Sequence, residues 1–266
     1  KPRLRHRNGF HPVLSAACIL LVLGGPPRAG EPDKAPAPRG GSPIGLVLAG
    51  GGARGAAHIG ALKVLEELRV PVDLIAGTSI GSIVGGMYAV GYSPEQMEEI
   101  LGKIDWHTVF RDLPNRRQIS FRRKVDDRIP LFPVEFGIGK KGLSSKGGVV
   151  TAVQIESVFQ AATLDSAGVE HFDHLRIPYR AVAADLETGE AVVLDHGNLA
   201  EAMRASMSIP GAFTPVVIDG RILVDGGIAD NMPVDVARGM GARRVIAIDV
   251  GTPPKSSVSG LSAAGV

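Results

Sequence analysis

The sequence predicts one α/β domain with a largely parallel central sheet. Two observations lead to this fold class. Short apolar runs typical of buried strands alternate with longer segments of helical periodicity, and this alternation is the pattern of βα units around a parallel sheet. The chain has 266 residues, of which 44% are hydrophobic, so it is long enough to bury one large core.

The first half of the pattern begins at Ile44. "IGLVLAG" and "VDLIAG" are predicted strands, and each runs directly into a predicted helix, "GAAHIGALKVLEEL" and "SIGSIVGGMYAVG". The first helix has apolar residues at Ile59, Leu62, Leu65 and Leu68. A third helix is predicted in "SPEQMEEILGKI", where Ser93 is a capping residue followed by proline and early acidic residues.

The second half repeats the alternation after a less regular stretch, residues 105–150. "TAVQIESVFQAAT" is predicted to be helical, and "YRAVAADL" and "EAVVLDHG" are predicted to form a strand pair around the turn "ETG". Helix, strand, helix and strand are then predicted, in order, for "LAEAMRASM", "RILVDGG", "PVDVARGMGA" and "RRVIAIDVG". The sequence thus predicts a single domain over residues 44–251.

The ends of the chain have a different composition. Residues 1–30 combine five basic residues with the apolar run "VLSAACILLVL", a pattern typical of a signal peptide. Residues 31–43 are predicted to be a disordered Pro/Gly linker, and residues 252–266 a flexible tail. The single cysteine, Cys18, lies in the apolar run, so no disulfide or thiolate metal site is expected in the domain.

Net charge argues against a polyanion-binding domain. Five of the 29 basic residues lie in residues 1–30. The rest of the chain then has 24 basic and 27 acidic residues, which gives it a net charge of about −3. Aromatic residues make up 5% of the chain, which argues against surfaces that stack bases. We therefore expect no nucleic-acid partner.

A candidate nucleophile lies between the second predicted strand and its helix. Gly77, Ser79 and Gly81 fit the pattern G-x-S-x-G at a strand-to-helix turn, which is the setting of a nucleophile elbow. The glycines leave room for a sharp turn, and the helix N-terminus favours a developing oxyanion. The alternative is a serine that only caps the helix.

The preceding turn is also rich in glycine. Residues 50–55, "GGGARG", fit G-x-G-x-x-G, so a dinucleotide site with Asp73 as the ribose-binding acid has to be weighed. Asp73 falls at the start of the next predicted strand, whereas a ribose-binding acid belongs at the end of one. Glycine N–H groups at a helix start can instead form an oxyanion hole, which the neighbouring serine elbow favours.

A serine nucleophile also needs a base. No histidine follows Asp225, so a triad in the order Ser, acid, His would have to use a pair such as Asp185 and His196. His58, in the first helix, is more suited to holding the glycine loop. Asp225 ends an apolar strand before two glycines, and a buried aspartate can accept the serine proton directly. Asp225 is therefore the favoured base, against the alternative of a turn-forming residue.

These stretches resemble the patatin-like phospholipase family, and in particular its bacterial, exported members. The family's three signatures are matched in order by "GGGARG" (50–55), "GTSIG" (77–81) and "DGG" (225–227), where many relatives have "DGA". The resemblance implies a three-layer α/β/α patatin-like fold. The site residues that it implies are a Ser79–Asp225 dyad, an oxyanion hole of Gly50, Gly51, Gly52 and Arg54, and supporting glycines at 55, 77, 81, 226 and 227.

The implied activity is a serine lipid acyl hydrolase that needs no metal or organic cofactor. Its substrate would be a phospholipid, a lysophospholipid or another fatty-acyl ester, and an exported location (periplasm, outer membrane-associated or secreted) is expected. A catalytically silent lipid- or nucleotide-binding module is the alternative. Basic residues flank Phe121 in residues 105–147, which suits either contact with a membrane surface or a solvated loop.

Overall fold

A seven-stranded mixed sheet organises the protein. The computed structural model describes residues 42–104, 136–139, 142–145, 148–150 and 152–251. The expected signal peptide, nearly all of the linker, the tail and the basic part of residues 105–147 lie outside these ranges, so those expectations stay predictions. Among the described residues, no helix combines the length and apolarity needed to cross a bilayer.

The sheet has the order β11-β1-β2-β6-β10-β9, with β7 paired to β6. Four neighbouring strands, β11, β1, β2 and β6, are mutually parallel, whereas β7, β9 and β10 add antiparallel pairings. The strands are β1 (Ile44–Leu48), β2 (Leu74–Thr78), β6 (Tyr179–Asp185), β7 (Ala191–Leu194), β9 (Val216–Ile218), β10 (Arg221–Asp225) and β11 (Arg244–Ile248). The predicted α/β fold is confirmed, with antiparallel strands confined to one part of the sheet.

Within the described ranges, four short strands lie outside this sheet. They are β3 (Phe136–Gly139), β4 (Gly142–Ser145), β5 (Gly148–Val150) and β8 (Gly211–Phe213). β3 pairs with β4 in an antiparallel hairpin, and β5 pairs with β8 in parallel. These strands, and β9, were not predicted. β3, β4 and β5 lie in the irregular, Gly-rich stretch of residues 105–150, and β8 and β9 have three residues each, which is too few to establish a period of two.

The helices begin and end close to the predicted positions. In the described part of the chain they are α1 (Ala56–Glu67), α2 (Ile80–Val90), α3 (Pro94–Lys103), α4 (Val153–Ala162), α5 (Leu199–Ser206) and α6 (Val234–Gly239). The predicted cap of α3 is present as a complete capping box. The Ser93 side chain accepts a hydrogen bond from the Gln96 N–H, and the Gln96 side chain accepts one from the Ser93 N–H.

Hydrophobic residues pack on both faces of the sheet. In β1, Leu46 and Leu48 join the large core that includes residues of α1 to α5. Val47, on the opposite face, joins a smaller core with Ala76 and with Ala237 of α6. Side chains alternate between the faces of a strand, so each face is covered by helices and the expected three-layer α/β/α arrangement is confirmed.

Candidate active site

Two strands that run in opposite directions meet end to end along β6. β2 runs parallel to β6 and ends at Thr78, opposite Val182. β10 runs antiparallel to β6 and ends at Asp225, opposite Ala183. The residue that follows Thr78 is Ser79, so the pairing of both strands with β6 brings Ser79 and Asp225 together although they are 146 residues apart in sequence.

Ser79 has a strained backbone at the junction of β2 and α2. Its φ of 54° and ψ of −123° are unusual for a residue with a side chain, and strain of this kind is typical of a nucleophile elbow. Its N–H donates a 2.8 Å hydrogen bond to Oγ of Ser206, and its carbonyl accepts one from Oγ of Ser82 at 2.7 Å. The turn is thus fixed by hydrogen bonds on both sides of the serine.

The supporting glycines are required by close backbone contacts. A Cβ on Gly77 would lie 2.5 Å from the carbonyl oxygen of Gly81. A Cβ on Gly81 would lie 2.1 Å from the carbonyl oxygen of Leu48, and one on Gly226 the same distance from that of Val182. Carbon atoms do not approach oxygen so closely, so a larger residue at any of the three positions would displace the backbone.

The side chains of Ser79 and Asp225 are joined by a short hydrogen bond. Ser79 Oγ donates to Asp225 Oδ2 at 2.6 Å, and the two residues are 8% and 7% exposed. The other carboxylate oxygen, Oδ1, accepts the N–H of Gly227 at 2.7 Å. Burial raises the pKa of the Asp225 carboxyl, while the hydrogen bonds from Ser79 and Gly227 act in the opposite direction. The result is an oriented carboxylate of increased basicity beside a hydroxyl.

The glycine loop lies against this pair. A Cβ on Gly50 would be 3.2 Å from Cβ of Ser79, so the backbone of the loop approaches the serine closely. The N–H of Gly50 donates to the carbonyl of Asn231 at 3.2 Å, and its carbonyl accepts from the Asn231 side chain at 3.4 Å. The amide of Gly50 is therefore engaged by Asn231 in this structure. Gly51, Gly52 and Arg54 remain as the other predicted oxyanion-hole residues.

The loop leads into a 3-10 turn, Gly52–Gly55, that packs against the serine elbow. Gly52 has a φ of +57°, which favours glycine, and Arg54 is exposed within the turn. A Cβ on Gly55 would lie 2.0 Å from the Ile80 side chain, so Gly55 allows the turn and the start of α2 to meet.

His58 anchors the other side of the loop. Its Nε2 lies 2.8 Å from the carbonyl oxygen of Ala49, the residue before the glycines, and the side chain is fully buried. Burial lowers the pKa of His58, so the neutral ring donates its Nε2 hydrogen to Ala49. Nδ1 has no hydrogen-bond partner among the described residues. This contact agrees with the predicted role of His58 in holding the loop.

The alternative triad does not form. Asp185 accepts hydrogen bonds from the N–H groups of Glu187 and Thr188 and pairs with Arg221 at 2.9 Å. His196 is exposed and bonds instead to its neighbour Asp195 at 2.5 Å. Asp185 and His196 thus have other partners, and neither is bonded to Ser79.

Asp73 is placed wrongly for a ribose-binding acid. Its carboxylate accepts the N–H of Ile44 at 2.8 Å, at the start of β1 and β2, whereas the glycine loop follows the end of β1. Because β1 and β2 are parallel, Asp73 and the loop lie at opposite edges of the sheet. Asp73 is therefore too far from the glycine loop to act as the ribose-binding acid of a dinucleotide site.

Sequence reasoning missed two polar residues that shape the site. Ser206, at the end of α5, is fully buried, accepts the Ser79 N–H and donates to the Val182 carbonyl at 2.5 Å. Asn231 bonds to both backbone groups of Gly50. The only signal for Ser206 is a small polar residue on the buried side of an amphipathic helix, which does not reveal a partner 127 residues away.

A largely apolar cavity of about 810 Å³ opens from Ser79. Its walls come from the glycine turn and from α1 to α4, together with the segment after α5. Among the residues that the structure describes, those lining the cavity are Gly52, Ala53, Ala56, Ile59, Gly60, Lys63, Ser79, Ile80, Ile83, Glu98, Leu101, Gly102, Phe159, Met207, Ile209 and Phe213. The described residues contain no group of three or more His, Cys, Asp or Glu arranged to hold a metal ion. The site therefore presents a serine, a carboxylate and apolar walls.

Comparison with known proteins identifies relatives of this chain. Patatin-like phospholipase domain-containing protein 6 of Mus musculus is 37% identical over 221 residues, which are 82% of this chain and 14% of the relative. Lysophospholipase NTE1 of Mycosarcoma maydis is 35% identical over 80% of this chain and 10% of its own length. The chain thus corresponds to a small part of these animal and fungal proteins, which lend no support to the expected bacterial, exported affiliation.

Solved structures give weaker similarities. VipD from Legionella pneumophila matches with a TM-score of 0.41 and 18% identity, over 73% of this chain and 47% of that one. The type III effector ExoU matches with a TM-score of 0.39 and 15% identity, over 63% of this chain and 39% of that one.

A protein-family model described as patatin-like phospholipase matches residues 46–238, which is most of the chain. The chain therefore belongs to the patatin-like phospholipase family.

Proposed function

We propose that this chain is a serine hydrolase of fatty-acyl lipid esters that uses Ser79 as the nucleophile and Asp225 as the general base. The observation that carries the proposal is the 2.6 Å hydrogen bond from Ser79 Oγ to Asp225 Oδ2 beside an apolar cavity. A hydroxyl alone is a weak nucleophile, and a carboxylate at hydrogen-bond distance can remove its proton as it attacks.

The reaction follows from the two side chains. Ser79 Oγ attacks the ester carbonyl carbon while Asp225 accepts the hydroxyl proton, and the tetrahedral intermediate forms. Asp225 then passes this proton to the departing alcohol oxygen, which leaves an acyl group on Ser79. A water molecule attacks the acyl-enzyme, again with Asp225 as the base, and the fatty acid is released as the serine hydroxyl is restored.

The negative charge of each intermediate needs donors that are oriented in advance. The N–H groups of Gly51 and Gly52 are the proposed donors, because the loop that carries them lies against Ser79 and the amide of Gly50 is engaged by Asn231. The His58 contact with Ala49 and the Asn231 contacts with Gly50 support the position of this loop from two sides.

The apolar walls of the cavity suit a fatty-acyl chain. Isoleucine, leucine, phenylalanine and methionine side chains dominate its lining. Burial of hydrocarbon against such walls supplies binding free energy in proportion to the area removed from water. Relatives are named as a lysophospholipase and as a neuropathy target esterase, which supports a phospholipid, a lysophospholipid or a simpler fatty-acyl ester as the substrate.

Hydrolysis of a fatty-acyl ester by purified variants tests the proposal. We expect Ser79→Ala and Asp225→Asn each to lose activity by at least about 10³-fold, because each removes one half of a unit that acts together. His196→Ala is the matched control and should keep the wild-type rate, since its partner is Asp195. An active Asp225→Asn enzyme together with an inactive His196→Ala enzyme would overturn the assignment of the base. An inactive but folded wild type would instead favour a binding module.

A further inference from the structure

The cavity extends from the glycine turn along α1. Its lining includes Ala53, Ala56, Gly60 and Lys63, which follow one another along successive turns. The ten steps along the chain from Ala53 to Lys63, at a rise of about 1.5 Å each, give a length of roughly 15 Å. Ser79 lies at the first end, because the turn packs against the start of α2.

The far end differs in chemistry from the walls. There Lys63 of α1 and Glu98 of α3 form an ion pair with a distance of 2.6 Å between Nζ and Oε2. Their side chains are 33% and 67% exposed, so the cavity meets water at this point. A hydrocarbon chain gains from burial only while apolar groups surround it, and the displacement of water from a charged pair is unfavourable. The ion pair therefore marks the end of the apolar path.

Gly60 keeps the path open one turn earlier. It lines the cavity from within α1, and a Cβ at this position would meet no atom within 4 Å. Glycine in a helix interior is unfavourable compared with alanine, so local helix stability does not account for its presence. Gly60 is itself exposed, so a longer side chain at position 60 would occupy open space along the cavity without a clash against the fold.

We propose that Gly60 and the Lys63–Glu98 ion pair set the length of the acyl chain that the enzyme accepts. This inference rests on the proposed function, in which the ester carbonyl lies at Ser79. An extended chain advances by about 1.3 Å per carbon, as follows from a carbon–carbon bond of about 1.5 Å, so the path holds roughly 12 carbons. Longer chains meet the ion pair and water, and gain no further binding.

A series of p-nitrophenyl esters tests this inference. For wild type, kcat/KM should rise by up to about fourfold per added methylene until the acyl chain has roughly 12 carbons, and then level off or fall. The chain length at which the rise stops is called the break. In Gly60→Leu the break should move to chains roughly four carbons shorter, since one helical turn is about 5.4 Å. Gly60→Ala should shift it less, and it provides a second variant if leucine impairs folding. In the double variant Lys63→Met, Glu98→Met the break should move to longer chains.

Two matched controls separate this effect from general changes in α1 and α3. Ala57→Leu adds the same side chain at an exposed position of α1 outside the cavity lining. Lys103→Met removes the Lys103–Glu99 pair, which lies on α3 and also outside the lining. Both should keep the wild-type profile.

The outcomes distinguish this inference from the function on which it rests. Active enzymes whose break stays at the same chain length in Gly60→Leu and in the double variant would refute the length limit and leave the hydrolase intact. A double variant changed only in its preference among head groups, at constant chain length, would also refute it. A folded wild type that hydrolyses none of the esters would refute the proposed function, and the length limit with it.

Discussion

The Ser206→Ala substitution tests how far the strained serine turn depends on a side chain from another element. Ser206 Oγ is fully buried, accepts the Ser79 N–H at 2.8 Å and donates to the Val182 carbonyl. Alanine would leave one buried donor and one buried acceptor without this partner, at about 1–3 kcal/mol for each group. We therefore expect the free energy of unfolding to fall by about 2–6 kcal/mol, measured by urea denaturation.

The same substitution should reduce catalysis beyond its effect on stability. The backbone conformation of Ser79, with φ at 54°, is itself unfavourable by about 1–3 kcal/mol and needs support from its surroundings. A nucleophile displaced by about 1 Å loses roughly 10²-fold in rate. In the folded Ser206→Ala enzyme, kcat for a short-chain ester should therefore fall by about 10- to 100-fold, with a nearly constant KM.

Ser208→Ala is the matched control. Ser208 is equally buried two residues later, and its hydroxyl bonds to the carbonyl and the guanidinium of Arg204 without touching Ser79. It should lose stability with little change in kcat. If Ser206→Ala keeps the wild-type kcat, or if both variants lose kcat equally, Ser206 does not act through the serine turn.

Substitutions at two further positions, His58 and Asp225, probe the glycine loop and the carboxylate. His58→Leu removes the donor to the Ala49 carbonyl, so it should lower kcat and also lower the free energy of unfolding by about 1–3 kcal/mol. His58→Gln keeps a donor at a similar position and should restore most of kcat. Equal losses of kcat in the two variants would argue against a role for the His58–Ala49 hydrogen bond. Because burial raises the pKa of Asp225 above its value in the unfolded chain, the ionised carboxylate destabilises the native state at neutral pH, and this effect disappears as the pH falls below the unfolded pKa. Asp225→Asn should therefore melt at a higher temperature than wild type at neutral pH, with the difference vanishing in acid, and a lower melting temperature at neutral pH would contradict this reasoning. The wild-type kcat/KM should fall as the pH drops through the raised pKa of this carboxyl.

The parts of the fold that have local signals were predictable from the sequence. β1, β2 and the helices that follow them were visible as apolar runs joined by glycine turns, and the α3 cap was visible in Ser93 and the residues after it. β8 and β9 were missed because each has only three residues and a proline lies between them, so neither shows an alternation of apolar and polar residues. The antiparallel pairing of β10 with β6 was also not predictable, since it is set by long-range packing.

The candidate site was predictable to a similar degree. Ser79 and Asp225 each follow or end an apolar strand beside glycines, which is a local signal. Ser206 and Asn231 have no such signal, because their roles arise only when α5 and the segment after β10 reach the serine turn and the glycine loop. The hydrogen bond from the Gly50 amide depends on the same contact with Asn231. The sequence alone could therefore not show which of the three glycines has an N–H group left for an oxyanion.

Covalent labelling measures the reactivity that we propose for Ser79, a nucleophile activated by Asp225. Wild-type protein treated with a fluorophosphonate should gain one adduct by intact mass, and peptide mapping should place it on Ser79. Folded Ser79→Ala should gain none, Asp225→Asn should react far more slowly, and His196→Ala should react at the wild-type rate. A folded wild type that gains no adduct, or an adduct retained in Ser79→Ala, would show that Ser79 is not the nucleophile.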